Sequence, residues 1–202
     1  MSRKNNVNKK NVKKSGLKYY FNDGLKYIRE SRKYIYTIIG IFFLFALFAF
    51  FIPGPFGFLN EMLKDLVDKT EGLNTAQITV FILNNNLQSA VFGFILGIFF
   101  GVFPIFNAVL NGSVLGYVFG KVYAISGFSD FWRILPHGIF ELPAIFIALG
   151  LGLKLGASFF SGDIKKSLRE RFVRGGRSFI LIVIPLLIIA AIIEGILIGL
   201  MK

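Results

Sequence analysis

The sequence predicts an all-α fold: a polytopic membrane helix bundle with about five transmembrane helices and attached interfacial amphipathic helices. Three observations predict it. Hydrophobic residues make up 54% of the 202, and the mean hydropathy of +0.66 lies far above that of a soluble domain. Five stretches are long and apolar enough to cross a hydrocarbon core. The net charge of +12 flanks these stretches, which ties it to membrane orientation and anionic headgroups rather than nucleic acid. Cysteine is absent, which excludes a disulfide framework, a thiolate metal site and a thiol nucleophile.

Residues 1–16 are rich in Lys, Asn and Ser and lack apolar periodicity; they read as a disordered basic tail preceding a single membrane domain over 17–202. Segment 17–33 interleaves Tyr19, Tyr20, Phe21 and Tyr27 with Arg29, Arg32 and Lys33, an interfacial pattern, with Asn22 or Asp23 placed to cap a short helix. The first span, about 34–52, carries no charge and ends at Pro53-Gly54-Pro55. It is too long for a signal-peptide core, and no small-residue cleavage site follows. Segment 58–69 is amphipathic: Phe58, Leu59, Met62, Leu63, Leu66 and Val67 form an apolar face opposite Glu61, Lys64, Asp65 and Asp68. It is expected on the membrane surface or capping the bundle.

The second span, about 78–103, contains Asn84-Asn85-Asn86 and Gln88. A reversal is expected at Phe103-Pro104, with Pro104 in the first turn of the third span, about 104–122, which carries Asn107 and Asn111. The fourth span, about 134–153, contains the sole histidine, His137, and Glu141 one helical turn later on the same face. A basic segment over 154–177 follows, where Asp163 caps a helix whose apolar side is Ile164, Leu168 and Phe172. The fifth span, about 179–200, contains Glu194. An odd number of spans puts the termini on opposite sides. Placing the N-terminus in the cytoplasm keeps 18 of the 23 Lys and Arg there, so the C-terminus is expected outside the cell membrane.

Four spans repeat a small residue every fourth position: Ser89, Gly93, Gly97, Gly101; Ala108, Gly112, Gly116, Gly120; Ala144, Ala148, Gly152, Gly156; and Ala191, Gly195, Gly199. Each set lines one helix face and lets backbones approach, the way helices associate without a hydrophobic driving force. The reading is a tight four-helix core with the Phe-rich first span peripheral; some seams are open to a homodimer.

Helical rise puts Glu141 and Glu194 roughly 10 Å below the outer surface and Asn85 about 10–12 Å, with Asn111 nearer the middle. His137, Glu141, Glu194, Asn85 and Asn111 are therefore the candidate polar cluster. Such a cluster serves most simply as interhelical hydrogen-bond glue. It also suits an ion- or proton-linked path, because intramembrane carboxylates commonly mark one and Pro143 frees the carbonyl of Ile139 beside Glu141. A zinc site is disfavoured: there is one His and no His-Glu-x-x-His. No Ser-His-Asp arrangement and no phosphate-cradling loop is present.

The stretch Pro136-His137-Gly138-x-x-Glu141-Leu142-Pro143-Ala144 resembles the stage II sporulation protein M family of integral membrane proteins. The resemblance extends to Asn85-Asn86 before Ala90, the glycines of the second span, and Asn111-Gly112 followed by Gly116. It implies a membrane-embedded component that, in endospore formers, works with cell-wall-degrading partners during engulfment; the family also occurs in organisms that make no spores. It carries over no catalytic residue. The expected function is a non-enzymatic scaffold or assembly component for envelope or membrane-remodelling complexes, with no cofactor and no metal. Its expected partners are envelope proteins and anionic lipid. The alternative is a small transporter or channel using the polar cluster.

Overall fold

The computed structural model describes residues 16–129 and 131–201, with the side chains of 132–140 and 198–201 outside the described set. The described residues are helical, with no strand among them. The helices in order are α1 (Gly16–Glu30), α2 (Arg32–Phe51), α3 (Leu59–Thr70), α4 (Thr75–Ile95), α5 (Val102–Ser126), α6 (Phe131–Gly156), α7 (Ile164–Ser178) and α8 (Ile184–Met201). Five helical segments among the described residues are long and apolar enough to cross a membrane: Arg32–Phe51, Thr75–Ile98, Val102–Ser126, Glu141–Phe160 and Ile164–Leu197. The expected tail falls, apart from Gly16, outside the described residues.

The ends of these helices follow local chemistry. At the start of α4, the Asn74 side chain accepts from the backbone N–H of Gln77, while Gln77 accepts from the N–H of Asn74, a reciprocal capping box. Asp163 caps α7 through the backbone N–H of Lys166 at 3.0 Å, as its position before the basic helix predicts. The α4–α5 reversal falls at Phe99–Gly101, earlier than the expected Phe103-Pro104. Phe100 (φ 53°) and Gly101 (φ 76°) both occupy the left-handed region, and only glycine does so without steric cost. Pro104 sits within the first turn of α5, where its missing N–H has no helical partner to lose. Asn22 and Asp23 lie inside α1 rather than at its start, since the described chain is already helical at Gly16.

Helix α6 is the hub. In its most apolar window 61% of residues are buried, against 22–39% for the other four spans, and it packs against α2, α4, α5 and α8. Ala144, Ala148, Leu149 and Leu155 on it are fully buried. One expectation fails here: the first span is not peripheral. Among the described residues, helix α2 forms the most extensive helix pair with α5 and buries Ile38, Phe42 and Ala49 completely or almost so. The glycine face of α5 needs an opposing backbone, and α2 supplies it at Phe42 and Ala46. Alanines amid the phenylalanines of α2 make that approach possible.

Helices α7 and α8 form one continuous rod through a π-helical turn at Phe179–Val183. Pro185, just below, offers no N–H to the preceding turn, and a wide turn accommodates such a missing bond.

Candidate functional site

The small-residue faces meet at backbone distance. A Cβ on Gly112 or Gly116 would run into the backbone carbonyls of Phe42 and Ala46 on α2, and one on Gly120 would lie 3.3 Å from that of Phe50. On the other side of the hub, Gly97 meets the backbone of Gly152, and Gly152 meets that of Gly93. Gly93 and Gly101 receive the side chains of Leu149 and Leu153. Gly195 on α8 abuts Thr79 of α4. Gly199 lies outside the residues with described side chains. Two seams thus run in parallel, α2–α5 and α4–α6, with α8 closing the second.

The second seam sets the depth of the polar groups. Helices α4 and α6 run parallel, with Leu149 against Gly93 and Gly152 against Gly97. Extending that spacing brings Glu141 level with Asn85 and Asn86. Of these two amides Asn86 is buried, on the same α4 stripe as Ala90, Gly93 and Gly97, whereas Asn85 is exposed. Reading Asn85 as the inward amide is therefore corrected by one residue, which on a helix is about 100° of rotation. Glu141 is half-buried and Glu194 is buried at 3% exposure, on helices that pack together. Helices α4 and α8 are antiparallel with Gly195 against Thr79, so Glu194 stands nearer the α3 end than Glu141. The side chain of His137 lies outside the described residues.

Asn111 is placed differently from the expected cluster. It is exposed on α5 and donates to the side-chain and backbone oxygens of Asn107, at 2.8 and 3.0 Å. Asn107 in turn donates to Ser89 of α4 at 2.8 Å. These groups form a separate polar bridge between α4 and α5, the two helices that diverge from the Phe99–Gly101 reversal.

A second, unexpected cluster closes the α7 end. Tyr27 of α1 is 2% exposed, with Lys154 Nζ 3.7 Å and the Arg174 guanidinium 4.6 Å from its ring centroid. Lys154 donates to Ser31 Oγ at 3.0 Å, and Ser31 donates to the Tyr27 carbonyl at 2.6 Å. Arg171 donates to the carbonyl of Lys154 at 2.7 Å, satisfying a backbone acceptor near the end of α6. Arg174 pairs with Glu30 at 2.8 Å and Asp23 at 3.1 Å. Ser178 donates to the Gly24 carbonyl at 3.2 Å. Burial pushes the Tyr27 phenol above its ordinary range, with Arg171 and Arg174 acting in the opposite direction. The signal available in the sequence was the spacing Gly24, Tyr27, Ser31: small residues around a tyrosine, with Ser31 just past the end of α1.

At the opposite end, α3 seats Leu59 in a satellite core with Ala49, Phe56 and Tyr117. Tyr117 Oη donates to Asn60 Oδ1 at 2.9 Å. Phe58, just before α3, and Met62 and Leu66 on it remain exposed. No group of three or more His, Cys, Asp or Glu suited to a metal occurs among the described residues.

Residues 33–197 match the family model for stage II sporulation protein M. Among curated proteins the chain is 30% identical to an uncharacterised protein of Methanocaldococcus jannaschii over 123 residues, covering 58% of this chain and 54% of that protein. It is 34% identical to a second uncharacterised protein of the same organism over 119 residues, covering 56% of this chain and 66% of that protein. The chain thus spans about half the length of the first relative and somewhat under two thirds of the second. No solved structure matches. A multi-pass helical bundle, matched by the family model from the start of α2 to near the end of α8, belongs to the stage II sporulation protein M family.

Proposed function

We infer that the protein is a non-enzymatic membrane scaffold, holding envelope or membrane-remodelling partners at two ordered platforms, one on each side of the bilayer. The observation that carries this reading is the fixed seating of the helices outside the spans. Helix α3 is pinned by Leu59 and the Tyr117–Asn60 hydrogen bond, and α1 by Tyr27, Ser178 and Arg174. Fixed seating lowers the ordering cost of binding a partner. The close backbone contacts around α6 also favour a packed support over a lumen along the bundle axis. The Lys and Arg distribution supports a cytoplasmic N-terminus and an outside C-terminus. The α1–α7 platform then faces the cytoplasm and its anionic headgroups, while the exposed Met62 and Leu66 of α3 face outward.

The test is quantitative crosslinking and purification from native membranes, comparing wild type with Met62→Asp/Leu66→Asp at matched abundance. A stoichiometric envelope protein lost with the α3 stripe is the expected result. Recovery of the same proteins with both forms would sink the reading. A small transporter is the second reading, favoured by two carboxylates, Glu141 and Glu194, on packed spans. Its signature is flux in liposomes that responds to pH and is abolished by Glu141→Gln.

A further inference from the structure

Helix α4 carries three side-chain amides on its outer face. Asn84, Asn85 and Gln88 are exposed, and none forms a side-chain hydrogen bond among the described residues. They lie about 13–20 Å along a helical segment about 36 Å long, measured from Thr75 to Ile98, so they fall near mid-membrane. Unpaired amides facing hydrocarbon are unfavourable, which calls for a polar neighbour at this depth.

The surroundings narrow what that neighbour is. Val80, Asn84, Gln88 and Phe92 recur every fourth residue, and Ile95 and Phe99 continue the same exposed face. Toward the α7 end the face is wholly apolar for three turns, so the amides have no polar continuity to that surface, as a water-filled path would require. The stripe is instead an apolar helix face with a polar centre, the pattern of a helix–helix contact in lipid. The three groups are neutral, and every amide offers both donors and acceptors. Such a set is complementary to itself across a two-fold axis, where each copy presents the same patch.

We propose that this face is a contact between two copies of the chain, with Asn84, Asn85 and Gln88 pairing across a two-fold axis inside the membrane. Among the described residues, the seam glycines meet α2, α6 and α4 within one copy and leave this amide face for the dimer.

The natural absence of cysteine makes the test clean, since each introduced thiol is the sole one. The full chain carrying Gln88→Cys or Phe92→Cys is oxidised in its native membrane, beside the lipid-facing controls Leu44→Cys and Ile189→Cys. Disulfide-linked dimers are expected for the first pair and monomers for the controls. Adding Asn84→Leu, Asn85→Leu and Gln88→Leu to Phe92→Cys should cut dimer yield roughly tenfold, as several modest interhelical amide bonds are lost together. The total abundance of the chain in the membrane should not change. Monomers at every position, equal crosslinking at stripe and control positions, or undiminished dimer with the leucines would each overturn the proposal. So would labelling of Gln88→Cys by a membrane-impermeant maleimide as fast as Asp68→Cys, which would make the face a wet surface. The single-cysteine arms read the contact even if the triple variant fails to fold.

Discussion

Gly116 and Gly152 show what a missing side chain does in this fold. Each lies where a Cβ would collide with the backbone of a neighbouring helix, which cannot give as a side-chain end can. Gly116→Leu or Gly152→Leu is expected to destabilise the bundle by about 3 kcal/mol or more, at the upper end of overpacking costs. Thermal unfolding in detergent, with Gly40→Ala as a neutral control because nothing approaches that position, is the check. Tyr27 is the opposite case, a large side chain that fits except for its hydroxyl. Its Oη is buried with no hydrogen-bond partner among the described residues. Tyr27→Phe should therefore leave stability unchanged or raise it by up to about 1 kcal/mol, since an unsatisfied buried hydroxyl is costly. The glycine faces were legible in the sequence because their spacing is a property of one helix. Their partners were not, because an opposing surface is set by crossing geometry. Asn85 and Asn86 show the same limit: adjacent identical residues differ only in rotation, and one buried while the other did not.

Among the elements, α1 is held on α7 by a ring flanked by cations, an ion-pair set around Arg174 and the Ser178–Gly24 contact. Tyr27→Leu removes the ring and both cation–π contacts, each worth about 0.5–2 kcal/mol. Hydrogen exchange over residues 16–30 should accelerate at least about tenfold in that variant and stay near wild type in Tyr27→Phe. The helices themselves were readable from length and apolar content, and the Asp163 cap from its place before a basic run. The status of α2 was not, since its phenylalanines resemble a lipid-facing surface while its backbone at Phe42, Ala46 and Phe50 supplies the seam.

For the whole molecule, the two ends differ sharply in charge, and this difference makes orientation measurable. Single thiols at Asp68 of α3 and Lys165 of α7 should react with an impermeant maleimide from opposite sides of intact cells. The first should label from outside and the second only after permeabilisation. Labelling of Lys165→Cys from outside, with Asp68→Cys reached only after permeabilisation, would reverse the placement. Fold class and family were open to reading because hydropathy and the His137–Ala144 motif are local. The separation of the polar groups into an α4–α6 stripe, an α4–α5 bridge and an outer amide face was closed to it, because those groupings depend on which helices are neighbours.

The hub position of α6 also bears on the order in which the molecule is built. Synthesis delivers α2, α4 and α5 before the helix on which they converge. The α2–α5 seam has both halves as soon as Ser126 has been added, whereas Gly93 and Gly97 wait until Gly152 emerges. During that interval α4 shows a bare glycine face to lipid or to the insertion machinery. Late arrival of the central helix therefore leaves the glycine face of α4 without its α6 partner between the third and fourth insertions.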